Sequence, residues 1–141
     1  MKASDADLIA LLRANAREPT AALARKLGLA RSTVQERLAK LEREGTITGY
    51  TVKVADDGDI NKVRAVVMIS ADPKQADRVT AELKKMPEMR SLVAVAGAYD
   101  LIATVEAETT ARIDTLLDRI GRTPGVARTV SSIVLSEKFS R

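Results

Sequence analysis

An α+β protein in two parts is what the sequence predicts, and three observations carry that prediction. Three short segments with helical apolar spacing precede Gly45. From Lys62 onward, strand-like and helix-like stretches follow in the order β-α-β-β-α-β. The excess positive charge lies wholly in the first part: Met1–Val54 holds ten Lys/Arg against six Asp/Glu, whereas residues 55–141 hold thirteen of each. A basic module joined to a neutral one is the charge layout expected of a nucleic-acid-binding domain with a partner domain.

The first helix is expected from about Ser4 to Ala14, with Ser4 or Asp5 as N-cap and Leu8, Ile9 and Leu12 on one face. A second follows Pro19. Pro disfavours helix for Glu18, Thr20 is a good N-cap, and Leu23, Ala24 and Leu27 form a face that stops at Gly28. The third runs from about Arg31 to Glu44, with Val34, Leu38 and Leu41 inward. The link Gly28-Leu29-Ala30 is short enough to turn the chain sharply, which is the helix-turn-helix pattern, and Leu29 is expected to point back into the core. With the apolar stripe inward, Ser32, Thr33, Glu36, Lys40 and Arg43 face outward, with Gln35 and Arg37 on the flanks and Arg31 at the start. Such side chains bond phosphates and base edges in a major groove, although any solvated helix face carries similar residues. Thr46–Val54 alternates β-branched and polar residues and reads as a strand or wing; residues 55–61, with Asp56, Asp57, Gly58 and Asp59, read as a linker. The domains are thus expected at 1–54 and 62–141.

In the second part, Val63–Ala71 reads as a strand, Pro73–Lys85 as a helix ended by Pro87, and Arg90–Ala96 as a second strand. A tight turn at Gly97-Ala98-Tyr99 leads into a third strand, Asp100–Glu106. Thr109 or Thr110 caps a second helix with Ile113, Leu116, Leu117 and Ile120 inward, Pro124-Gly125 breaks it, and Val126–Leu135 is a fourth strand. This order is that of a ferredoxin-like sheet with two helices on one face. The strands are apolar at both parities, Ala65, Val67 and Ile69 against Val66 and Met68, so both faces are expected to be buried, the second by another copy of the sheet. A two-fold dimer would present two recognition helices to a pseudo-palindromic duplex.

Composition closes several alternatives. A chain that is 45% hydrophobic and 30% charged is globular. With no Cys and no His, thiolate zinc sites, Ser-His-Asp and Cys-His constellations and imidazole bases are excluded, so neither metal nor cofactor nor catalytic residue is expected. Charges at Asp5, Asp7 and Arg13 argue against a signal peptide, and no stretch reaches the roughly 18 uncharged residues of a membrane helix, so a cytoplasmic location is expected. A small enzyme using Asp100 and Tyr99 as acid and base would lack a second carboxylate placed by the same motif. A single-strand binder would need a stacking platform, and the aromatics are only Tyr50, Tyr99 and Phe139.

Over nearly its whole length the chain resembles the Lrp/AsnC, or feast/famine, family of regulators. The residues that carry the resemblance are Asn15-Ala16-Arg17; Leu23-Ala24-Arg25-Lys26-Leu27-Gly28-Leu29; Val34 with Arg37, Leu38, Leu41 and Glu42; and Gly45-x-Ile47-x-Gly49-Tyr50. In the second part they are Val95-Ala96-Gly97-Ala98-Tyr99-Asp100-Leu101 and Pro124-Gly125-Val126 followed by Thr129, Ser131, Val134 and Leu135. The resemblance implies a dimer that assembles further into octamers, binds double-stranded DNA, and responds to an amino acid or related metabolite. It also implies an effector held between subunits by Gly97, Tyr99 and Asp100 of one and Thr129 and Ser131 of another. Asp100 would pair with an α-ammonium while turn N–H groups and hydroxyls take a carboxylate. Two positions depart from the family pattern. Ala30 stands where Ser commonly opens the recognition helix, leaving the cap to Ser32 or water, and Ser4 stands where Leu is usual.

Overall fold

The computed structural model describes residues 4–54 and 62–141, and the chain divides into two compact units, 1–54 and 55–141. The expected linker at 55–61 lies outside the described residues.

The described residues of the first unit form three helices. Helix α1, Asp5–Ala14, opens on a capping box: the Ser4 hydroxyl accepts from the Asp7 N–H, and the Ser4 N–H donates to Asp7 Oδ2 at 2.8 Å. That N-cap bond holds the Asp7 carboxyl below its usual range. Helix α2, Thr20–Leu27, begins one residue earlier than expected. The Pro19 carbonyl accepts from Ala22 and Leu23, so Thr20 is already helical and its hydroxyl caps nothing. Gly28 ends α2 at φ +66°, and the Leu29 N–H folds back to the Ala24 carbonyl at 2.9 Å. Helix α3, Arg31–Arg43, follows after three residues. Leu8, Leu12, Leu23, Ala24, Val34 and Leu41 form the buried centre, with Leu29, Leu38 and Ile47 partly buried against it.

Thr46–Val54 forms no strand within this unit. Alternation favours an extended backbone, but a ladder needs an edge to pair with. The segment is pinned instead by two bonds to α3: Ile47 N–H to the Leu41 carbonyl at 3.0 Å, and the Tyr50 hydroxyl to Glu42 Oε1 at 2.8 Å.

The second unit follows the expected order with shifted ends: β1 (Val63–Ala71), α4 (Ala76–Lys84), β2 (Met89–Ala94), β3 (Leu101–Ala107), α5 (Thr110–Gly121) and β4 (Val126–Ile133). The sheet is antiparallel in the order β2-β3-β1-β4. Residues Pro73–Gln75 form a 3₁₀ turn rather than the first turn of α4, because the Asp72 carboxylate accepts from the Lys74 N–H and tightens the chain there. Thr109 caps α5. The β2–β3 connection is longer than the expected three-residue turn, and is closed by the Val95 N–H donating to the Asp100 carbonyl at 3.0 Å.

Ala65, Val67, Ile69 and Ala71 of β1 and Leu101, Ala103, Val105 and Ala107 of β3 are buried together with Val79 and Leu83 of α4 and Ile113, Leu116 and Ile120 of α5. The opposite sheet face, expected to be buried, is open within one chain. Register places Val93, Ile102, Met68 and Val130 in one row across all four strands, with Val93 50% and Val130 45% exposed. The expected burial of both parities is therefore not met by the described residues of the second unit alone.

Candidate nucleic-acid interface and effector site

Helix α3 is docked by Val34 and Leu41, both nearly inaccessible, and by half-buried Leu38. That leaves Arg31, Ser32, Gln35, Glu36, Lys40 and Arg43 exposed and Thr33 and Arg37 half-buried, so all eight residues expected on the outward side of this helix reach solvent at least in part. The helix opens on Ala30, with φ −72° and ψ 151°, and no side chain caps it; Ser32 does not take the role. Its first N–H groups and the positive end of its dipole thus lie at the same end as Arg31. The Tyr50–Glu42 bond raises the Tyr50 phenol above its usual range and joins the far end of α3 to the chain that leaves the unit. On α2, Lys26 is paired with Glu18.

The five expected effector residues fall into two groups. Gly97, Tyr99 and Asp100 lie in the β2–β3 connection. Asp100 is fixed by its neighbours: its N–H donates to the Ile69 carbonyl, and its Oδ2 accepts from the Ala71 N–H at 2.9 Å. One carboxylate oxygen therefore ties β3 to the end of β1, a structural duty beside any ligand contact. Thr129 and Ser131 sit on β4 opposite Ile69 and Val67, and so share the parity of the helix-covered face. Both therefore lie on the edge strand β4. Sequence reasoning missed Arg128, whose guanidinium carbon stands 5.1 Å from the centroid of the Tyr99 ring.

A separate cleft of about 540 Å³ lies at the other end of the sheet, lined by Glu88, Arg90, Glu106 and Arg112 among others. Arg112 donates to Glu88 Oε1 at 2.7 Å, and Arg64 and Arg90 both reach Glu106. The Glu88 carboxyl is held below its usual range by its own backbone N–H and by Arg112. None of the expected effector residues lines this cleft. No helix among the described residues is long and apolar enough to cross a membrane.

With this geometry in place, similarity to known proteins decides the family. Residues 64–141 match the Lrp/AsnC ligand binding domain and residues 1–42 the AsnC-type helix-turn-helix domain. The chain belongs to the Lrp/AsnC family. It is similar to the HTH-type transcriptional regulator LrpA of Mycobacterium tuberculosis, 33% identical over 137 residues that cover 96% of this chain and 91% of the relative. It is also similar to LysM of Saccharolobus solfataricus, 28% identical over 96% of this chain and 94% of the relative. Among solved structures, Escherichia coli AsnC shares the fold with a TM-score of 0.81 at 24% identity, over 97% of this chain and 93% of that one. A feast or famine regulatory protein from M. tuberculosis complexed with L-methionine has a TM-score of 0.81 at 33% identity, over 97% and 95%. This Lrp/AsnC protein is accordingly a transcriptional regulator with a DNA-binding helix-turn-helix and a ligand-binding domain, in a family of non-enzymes.

Proposed function

We propose that this regulator binds a pseudo-palindromic duplex as a homodimer, built further into an octamer, and that an amino acid or related metabolite held between subunits of the second unit modulates it in the cytoplasm. The observation that carries the DNA reading is the docking of α3: its apolar stripe is consumed by the core, and its polar face, with Arg31, Ser32, Thr33, Gln35, Glu36, Arg37 and Lys40, is left outward. Side chains of this type position a helix on phosphates and read base edges.

The dimer is supported by the open sheet face. A row of Val93, Ile102, Met68 and Val130 is a contiguous apolar stripe that water leaves unsatisfied, and a second copy related by a two-fold axis supplies the same stripe in return. The methionine-bound relative supports an amino acid as the effector. Gly97, Tyr99 and Asp100 of one subunit with Thr129 and Ser131 of another remain the proposed contacts.

The test is selection of duplexes from a random library, followed by affinity measurement across salt. Binding should fall steeply with salt as counterions are released. Lys40→Ala and Arg37→Ala should weaken binding and flatten the salt slope by roughly one per lost phosphate contact, while leaving the dimer intact. Unchanged affinity in both variants would refute the assignment of α3.

A further inference from the structure

We infer that Arg128 is the residue that reads the carboxylate of the effector, which restricts ligands to amino acids that keep a free α-carboxylate. The inference rests on the proposed effector site and adds a residue that the five expected contacts do not include.

Three observations meet at this residue. First, β4 carries a bulge: Arg128 pairs with Ser70, yet Val126 pairs with Ala71, so the chain gains a residue between them. In a regular strand Val126 and Arg128 would share a face. The bulge lets Val126 pack on the core while Arg128 takes the parity of Val130 on the open face. Bulges re-aim side chains in this way beside functional sites.

Second, Arg128 has no carboxylate partner among the described residues; its guanidinium lies over the face of Tyr99 instead. At the opposite end of the same sheet Arg64, Arg90 and Arg112 each bond a glutamate. A guanidinium stacked on a ring is held in one plane while its N–H edges stay free, and that fork matches a carboxylate in a bidentate pair.

Third, the complementary charge is adjacent. Asp100 follows Tyr99 in sequence and is anchored to the Ala71 N–H, so Asp100, just before β3, and Arg128, on β4, flank the Ser70–Ala71 end of β1 from its two sides. Two strand spacings separate those backbones by about 10 Å. An acid on one side and a guanidinium on the other suit the ammonium and carboxylate of a zwitterion lying across the strand end. The expected division, in which turn N–H groups and hydroxyls alone receive the carboxylate, leaves Arg128 without a role.

The experiment uses the full chain. A thermal-shift screen of the twenty amino acids selects the one with the largest effect. That amino acid and its α-carboxamide are then titrated by calorimetry into wild type, Arg128→Gln and Arg128→Lys, with light scattering to confirm an unchanged oligomer. Losing a charge-assisted pair should weaken the amino acid roughly ten- to hundredfold in Arg128→Gln. The carboxamide should bind wild type and Arg128→Gln alike, and Arg128→Lys should recover part of the loss. Equal affinity of the amino acid for wild type and Arg128→Gln overturns the assignment of Arg128 but leaves the effector site standing. Equal weakening of amino acid and carboxamide assigns Arg128 to packing on Tyr99 and also overturns it. Absence of any shift in wild type removes the effector reading itself. If Arg128→Gln does not fold, wild type alone decides: equal binding of acid and carboxamide sinks the inference.

Discussion

Gly125 fixes the point where β4 begins, and alanine at this position tests how firmly. Its φ of +95° is a conformation that L side chains rarely adopt, and a Cβ there would stand 2.8 Å from both Gln75 Cβ and Val79 Cγ2. Val79 is fully buried, so it has no solvent to retreat into. The Gly125 carbonyl also accepts from the Asp72 N–H at 2.8 Å, which ties this backbone to the turn before α4. The backbone conformation costs a non-glycine residue about 1–2 kcal/mol. Forcing a methyl group into a packed core adds about 1–3 kcal/mol. Gly125→Ala should therefore lose about 3 kcal/mol, and at 4–8 °C per kcal/mol for a unit of this size its Tm should fall by roughly 12–24 °C. Urea titration at fixed protein concentration gives the free energy, provided the slope is unchanged. Gly121→Ala in α5 is the control: nothing lies within 4 Å of its Cβ, and helix propensity should make it neutral or stabilising by about 0.5–1 kcal/mol. A loss at Gly125 no larger than about 1 kcal/mol, the ordinary effect of a point substitution, would show that the contact with Gln75 and Val79 yields and that the start of β4 is not constrained as described.

Three further outcomes are expected. Ala30→Ser supplies the missing cap of α3 at a residue already in extended conformation, and should stabilise the first unit by about 1 kcal/mol in thermal melts; no gain would mean the first turn is satisfied some other way. Met68→Asp places a charge at the centre of the open apolar row and should convert dimer to monomer in light scattering, whereas an unchanged mass would exclude this face as the interface. Glu88 has a folded pKa below its ordinary 4.5, held there first by its own backbone N–H and then by Arg112, so these contacts stabilise above that pH and are lost as pH falls through the lowered value. Glu88→Gln should cost about 1 kcal/mol near neutrality, since Arg112 is largely solvated, and the two stability curves should converge below pH 4.5; a gap that persists in acid would assign the effect to packing.

How much of this was legible in the sequence depends on the range of the interaction. Local signals carried well. Gly28 ends α2 in the left-handed region, Thr109 caps α5, and the spacing of Val34, Leu38 and Leu41 fixed which side of α3 faces outward. Local signals misled where a second partner decides. Thr46–Val54 has the alternation of a strand but no edge to join, and Thr20 is a good cap that Pro19 pre-empts by accepting the first helical bonds. The open sheet face belongs with these, because apolar residues at both parities say that two surfaces want cover and not what covers them.

The candidate effector site shows the same limit in its sharpest form. Motif matching reached Gly97, Tyr99, Asp100, Thr129 and Ser131, residues that stand next to recognisable turns and strand patterns. It passed over Arg128, which is not among the matched positions and which simple alternation from Val126 would send into the core. The bulge reverses that parity, and only the register against Ser70 and Ala71 reveals it. The stacking on Tyr99 then joins residues 29 positions apart, as does the bond from Asp100 to Ala71. The helix-turn-helix could be read because its geometry repeats every turn within one segment. A ligand site assembled at the common end of three strands is set by register, and register is a property of pairs that no single segment contains.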